Sequence, residues 1–120
     1  MKIKTYFFYF VIFHHSFAIS KNYYDKFEEA VQLYKQERFR LSEKKFRNIF
    51  EKERDHRDPA SQLFIAKCQV QQGLWAQARR TCKTLLSTYK NSPYEVNIYI
   101  LLGDCAFNEG KITSAFQNYL

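Results

Sequence analysis

The sequence predicts an all-α fold built from repeated pairs of antiparallel helices. The chain of 120 residues contains only three Gly and two Pro, and such a scarcity of breakers favours helices over many short strands. When the sequence is aligned with itself at intervals of 36 and 37 positions, four sets of equivalent residues recur, and we call each set a column. Gly73 and Gly110 fall where a first helix would end, a position that suits a left-handed residue. Together these features indicate helical hairpins stacked along the chain.

The four columns describe one hairpin. A small residue lies in the first helix, a bulky one follows the turn, a second small one comes three positions later, and a core residue four positions after that. Their members are Ala30, Ala66 and Gly103; Phe39, Trp75 and Ile112; Ser42, Ala78 and Ala115; and Phe46, Cys82 and Tyr119. Small residues let two helices approach closely, and residues spaced by three and four share one face of a helix. A single hairpin cannot bury its faces alone, so each hairpin stacks on the next.

The helix limits follow from the turns and from the two prolines. We predict helices at 22–36, 39–54, 59–72, 75–89, 94–109 and 112–120. Asp58 and Ser92 precede Pro59 and Pro93, so they are expected to be N-caps with Pro at the first helical position. The first turn, QERFR at 36–40, lacks the Gly of the other two.

Residues 1–20 have the three parts of a secretory signal peptide. Lys2 and Lys4 precede an apolar run from Tyr6 to Phe13, and small residues follow at Ser16, Ala18 and Ser20. The run is too short to cross a bilayer, which needs about 20 apolar residues. We therefore expect an exported protein, periplasmic or secreted, whose leader is removed. An uncleaved first helix is the alternative. No Cys comes directly after the run, in residues 14–21, so a lipid anchor is not expected.

With these features in place, the chain resembles a tetratricopeptide-repeat protein over residues 22–120. The resemblance is strongest in PASQLFIAKCQVQQGLWAQARRTCKTLLSTYKNSP and SPYEVNIYILLGDCAFNEGKITSAFQNYL. The chain is most similar to bacterial periplasmic members of this family, of the outer-membrane-assembly lipoprotein type or the Tol–Pal-associated cell-division coordinator type. The resemblance implies a right-handed superhelical solenoid of about two and a half to three units over residues 21–120. Because a solenoid needs a polar final unit, we expect this domain to be truncated at its C-terminal end.

The resemblance also implies a non-catalytic scaffold in the cell envelope that binds a protein or peptide. In such proteins the first helix of each unit lines a concave groove. Here that face comprises Tyr24, Phe27, Val31 and Tyr34; then Leu63, Lys67 and Val70; then Asn97, Ile100, Asp104 and Asn108. An apolar segment or amphipathic helix would suit its aromatic end. Alternatively, these aromatic side chains pack within the first hairpin.

A basic patch is formed by Arg79, Arg80 and Lys83 within residues 59–93, which contain no acidic residue. Ala78, Cys82 and Leu85 are expected to face inward, which turns the patch toward the convex side. It would suit an acidic partner or an anionic membrane surface, or it is simply a solvated helix face. Nucleic acid is not expected, because no aromatic residues interleave with the basic ones.

The remaining residues predict neither catalysis nor a cofactor. Cys68, Cys82 and Cys105 have no metal-finger spacing, so no metal site is expected and the thiols are predicted to be buried. We find no Gly-rich phosphate loop and no nucleophile motif. A binding scaffold is thus the first hypothesis. The rival is an N-terminal regulatory or targeting segment of a larger exported enzyme continuing beyond Leu120. A third possibility is self-association through the C-terminal face.

Overall fold

The protein is described by a computed structural model that covers residues 22–52 and 59–120. This part of the chain contains helices and no strand. Helix α1 covers residues 22–35, and the helices that follow are α2 (Phe39–Lys52), α3 (Pro59–Gln71), α4 (Trp75–Thr88), α5 (Glu95–Asn108) and α6 (Ile112–Tyr119). The all-α prediction is confirmed. Helix limits agree with those expected to within one residue, apart from the end of α2, because residues 53–58 lie outside the described part. The leader at 1–20 lies outside it too.

Consecutive helices pack against each other in chain order. Helix α2 packs on α3, α3 on α4, α4 on α5 and α5 on α6, while α3 also contacts α5. The first pair is joined by the hydroxyl of Ser42, which donates a hydrogen bond of 2.8 Å to the carbonyl oxygen of Ala30. The small-residue columns explain this close approach. All six members, Ala30, Ala66, Gly103, Ser42, Ala78 and Ala115, are buried.

The three turns that link the helices of each pair have one geometry. The second residue after each first helix is left-handed, with φ of 59° at Glu37, 73° at Gly73 and 76° at Gly110. In each turn this residue donates its N–H to the carbonyl three positions back, and the next residue donates to the carbonyl five positions back. These two hydrogen bonds satisfy carbonyl oxygens that the end of a helix otherwise leaves without a donor. The first turn, which lacks Gly, therefore folds like the others.

Two groups of buried side chains form the core. One joins α1, α2 and α3 around Phe46, whose ring stacks on Phe64 with centroids 4.7 Å apart and an interplanar angle of 13°. The other joins α3, α4 and α5 and includes Leu85, Ile98 and Cys105. Burying a large apolar side chain contributes roughly 1.5–3 kcal/mol, so these groups hold neighbouring hairpins together.

The structure corrects two expectations. Helix α5 begins at Glu95, so Pro93 is not its first residue, and Tyr94 rather than Ser92 is its N-cap. The Ser92 hydroxyl instead accepts a 3.2 Å hydrogen bond from the Tyr94 N–H, and the Ser92 carbonyl accepts one from Glu95, which makes a turn before the helix. Tyr119, expected in the core, is 47% exposed. Its ring lies against Gly103. The predicted cap Asp58 lies outside the described residues.

Candidate binding surfaces

The aromatic residues expected in the groove of the first hairpin are in contact with the core. The ring of Phe27 lies 5.2 Å from Phe46 and 5.8 Å from Phe64 between centroids. Tyr34 lies 5.3 Å from Phe39 and 5.7 Å from Phe64. Both are half-buried, and burial raises the pKa of the Tyr34 phenol. These two residues thus pack within the first hairpin and against α3, and they are only partly accessible.

Around them, surface access differs from residue to residue. Tyr24 is 66% exposed, with its ring edge-on to Tyr23 at 5.6 Å. Val31 is half-buried. On α3, the ammonium group of Lys67 lies 4.8 Å from the centre of the Phe64 ring, a distance at which a cation and an aromatic face attract each other. This end of the predicted groove therefore combines aromatic edges with one cation.

The middle of the predicted groove differs from the expectation. Leu63 is 3% and Val70 9% exposed, and both belong to the core that α3 forms with α4 and α5. Because α3 packs on α2, α4 and α5, its apolar residues are covered on several sides. Among the three predicted groove residues of α3, Lys67 is therefore the one that is accessible to a partner.

On α5 the predicted groove residues are mostly accessible. Asn97, Ile100 and Asn108 are exposed, and Asp104 is half-buried. The Asp104 carboxylate accepts a 2.7 Å hydrogen bond from the Tyr119 hydroxyl, which raises the pKa of Tyr119 to about 12. The side-chain amide of Asn108 donates to the Asp104 carbonyl at 2.8 Å. This stretch of α5 therefore combines polar groups with the exposed apolar side chain of Ile100.

An exposed apolar surface on α5 and α6 contains one residue of the predicted groove, Ile100, and four residues that were not predicted as binding residues. We call it the α5–α6 apolar surface, and it comprises Val96, Tyr99, Ile100, Tyr119 and Leu120, of which Val96 is 71% and Leu120 89% exposed. It borders a cavity of about 350 Å³ that is lined by no charged residue. One signal was available in the sequence: NIYILLGDCAF has more apolar residues than one face of a helix can bury.

The basic patch is divided in two. Arg80 and Lys83 are exposed, and Ala78, Cys82 and Leu85 are fully buried as expected. Arg79 does not point freely outward, since its guanidinium forms an ion pair with Glu109. The ammonium group of Lys111 lies 3.0 Å from the same carboxylate. The hydrogen bond from Lys111, together with that from Arg79, lowers the pKa of Glu109.

The three cysteines are free and buried, as predicted. Burial raises the pKa of the Cys68 thiol to about 11, that of Cys82 to about 12 and that of Cys105 to about 11. In the residues that the structure describes, no three His, Cys, Asp or Glu side chains are grouped as metal ligands would be. Nor does any of the described helices have the length and apolar content needed to cross a membrane.

The chain matches no protein-family model, and searches among curated proteins and solved structures find no significant match either.

Proposed function

We propose that the protein is a non-catalytic scaffold of the tetratricopeptide kind, in which helix hairpins stack as a right-handed solenoid and bind another protein. The observation that carries this proposal is the repeated turn. Glu37, Gly73 and Gly110 have the same left-handed conformation and hydrogen bonds, at intervals of 36 and 37 residues. A repeated turn between repeated helices is what a solenoid requires.

Polar contacts between successive hairpins support the same proposal. Glu43 of α2 accepts a 2.7 Å hydrogen bond from the side chain of Gln72, and Arg79 of α4 pairs with Glu109. Glu43 and Arg79 are 36 residues apart, and Gln72 and Glu109 are 37 apart. Each contact joins the second helix of one hairpin to the end of the first helix of the next. Equivalent positions thus make equivalent contacts although their residue types differ.

The binding role rests on exposed apolar side chains. The α5–α6 apolar surface and Tyr24 leave large side chains in water, and clustered exposure of this kind marks interaction sites. Ile100 belongs both to the α5–α6 apolar surface and to the predicted groove. A partner that lies along α5 would therefore cover Ile100 and contact Asn97 nearby.

Export to the cell envelope rests on the leader sequence. A positive start, a short apolar run and small residues at the expected cleavage site support it. Mass spectrometry of the protein from an envelope fraction should give a chain that begins after Ala18 or Ser20. An intact Met1 in that fraction would overturn cleavage and leave the uncleaved first helix as the alternative.

The binding role is tested with one matched pair of variants. Ile100→Glu puts a charge on the α5–α6 apolar surface, and Thr84→Glu puts the same charge on an exposed position of α4. A partner captured from the envelope fraction should be retained by wild type and Thr84→Glu and lost with Ile100→Glu, while circular dichroism stays unchanged in all three. Equal retention by both variants would contradict binding along α5.

A further inference from the structure

A second cleft lies between α4, the end of α5 and the start of α6. It encloses about 360 Å³. Arg79 and Lys83 line it from α4, and Lys111 lines it from the turn before α6. Glu109 is the one acidic residue among the lining side chains. Three cations therefore face one carboxylate, and the cleft keeps a net positive charge.

The chemistry of the cleft is that of a site for anions. Glu109 lies between Arg79 and Lys111 and is 17% exposed, so both cations already converge on a position where a carboxylate is stable. Lys83 is exposed, and no ion pair in the described residues includes it. Convergent ammonium and guanidinium groups are the usual partners of carboxylates and phosphates. One internal carboxylate leaves room for further negative charge.

Other groups in the cleft suit a small ligand with oxygen atoms. Ser114 and Asn118 of α6 supply a hydroxyl and an amide, and the amide of Asn118 uses one hydrogen for the Ser114 carbonyl at 2.8 Å. Leu102 and Ala106, which are 8% and 7% exposed, contribute apolar atoms. No acidic residue lies in the first turn of α6, and no side chain caps it, so its N–H groups add to the positive potential.

We propose that this cleft binds a small doubly charged oxyanion, with Lys83 and Lys111 as the main charged contacts and Arg79 held beside them by Glu109. Two negative charges would balance the excess of the three cations over Glu109. Phosphate monoesters and dicarboxylates share this chemistry. None of the five residues of the α5–α6 apolar surface lines this cleft, so the site stands independently of the proposed protein-binding function.

The test is a titration of the full chain with inorganic phosphate at pH 7, followed by NMR of the backbone amides of residues 109–115. Chloride keeps the ionic strength constant, because screening alone would otherwise change exposed charges. We expect saturable shifts with a Kd on the order of 1 mM. Titration with succinate in place of phosphate distinguishes a carboxylate site from a phosphate site. Equal shifts with chloride alone would overturn the proposal.

Four variants test the direction in which each charge affects binding. Lys111→Gln and Lys83→Gln should each weaken phosphate binding about fivefold, since each removes one cation. Lys90→Gln removes a lysine outside the cleft and should leave the Kd unchanged. Glu109→Gln removes the internal carboxylate and should tighten binding, which a purely structural role for Glu109 would not produce. Weaker or unchanged binding by folded Glu109→Gln, or a loss with Lys90→Gln equal to that with Lys111→Gln, would overturn the assignment.

Discussion

Arg79 of α4 forms an ion pair with Glu109, which directly follows α5. This contact joins the second hairpin to the third, and it takes the place that the hydrogen bond between Glu43 and Gln72 takes one unit earlier. From one interface to the next, the acidic Glu43 is thus replaced by the basic Arg79, and the amide of Gln72 is replaced by the carboxylate of Glu109. The geometry of the interface is kept while its chemistry changes.

The ion pair predicts a dependence of stability on pH. Lys111 and Arg79 hold the pKa of Glu109 below its ordinary value of 4.5. A lowered folded-state pKa contributes stability that is fully present above the ordinary pKa and is lost as the pH falls through the folded-state value. Wild type should therefore melt above Glu109→Gln at neutral pH, and the two melting curves should converge in acid. A gap that persists at low pH would show that charge is not the cause.

Glu37 predicts a stabilising substitution. Its φ of 59° is in the left-handed region, where a side chain is strained and Gly is not. Glu37→Gly should raise the free energy of unfolding by about 0.5–1 kcal/mol, and Gly73→Ala should lower it by about 1 kcal/mol. Urea denaturation measures both.

Asn91 provides the control for Glu37, because it has the same φ of 59° and Asn tolerates this region better than most residues. Asn91→Gly should gain less than Glu37→Gly. A loss of stability in Glu37→Gly would mean that the first turn does not depend on the left-handed residue.

Gly103 is predicted to be required for the packing of α6. A Cβ atom there would overlap the ring of Tyr119, so Gly103→Ala must displace that ring and should cost about 1–3 kcal/mol. The displacement would also break the Tyr119 hydrogen bond to Asp104, and the phenol pKa should fall from about 12 toward 10. NMR titration of the Tyr119 ring measures it.

A double variant separates this steric effect from helix propensity. With Tyr119→Ala already present, adding Gly103→Ala should cost nothing, and it should gain a little from the better helix propensity of Ala. Equal costs in the two backgrounds would exclude contact with Tyr119 as the cause.

Phe27 and Tyr24 distinguish a core role from a surface role. Phe27 contacts Phe46 and Phe64, so Phe27→Ala should lower the free energy of unfolding by about 2–3 kcal/mol. Tyr24 is 66% exposed, and Tyr24→Ala should cost about 0.5 kcal/mol or less. Chemical denaturation compares them directly. If both variants kept wild-type stability, the aromatic group would act only at the surface.

The cysteines should be unreactive in the folded protein. All three are buried, and burial raises the pKa of each thiol to about 11 or 12. Because the thiolate is the reactive form, a thiol reagent at pH 8 should label the native chain far more slowly than the chain in urea. Rapid labelling of one cysteine in the native state would locate a region that opens easily.

The sequence predicted most of the fold because its signals are local. Helix limits follow from turns and spacing, and the small-residue columns Ala30–Ala66–Gly103 and Ser42–Ala78–Ala115 are buried because each hairpin uses the same contacts. The left-handed turn at Glu37 was uncertain from the sequence, since its residue type argues against it. The two backbone hydrogen bonds of the turn after α1 outweigh the preference of Glu for negative φ.

The candidate surfaces were harder to predict because they depend on which helix covers which. Leu63 and Val70 have the spacing of a groove face, yet α4 and α5 bury them. The contact of Arg79 with Glu109 spans 30 positions, and no local pattern indicates it. Tyr119 has the same position in its hairpin as Phe46 and Cys82 have in theirs. Whether a residue of α6 is buried, however, depends on how the helices pack and not on its spacing in the sequence.

The order in which the helices contact each other also governs how the chain can fold. Helices α2 to α6 pack mainly on their neighbours in the chain, so little sequence lies between partners and little loop entropy is lost when they meet. Folding can therefore begin in any hairpin and spread to the next. Amide exchange should be slowest in α3, α4 and α5, each of which packs on a helix before it and a helix after it, and should be faster in α6, as local opening requires.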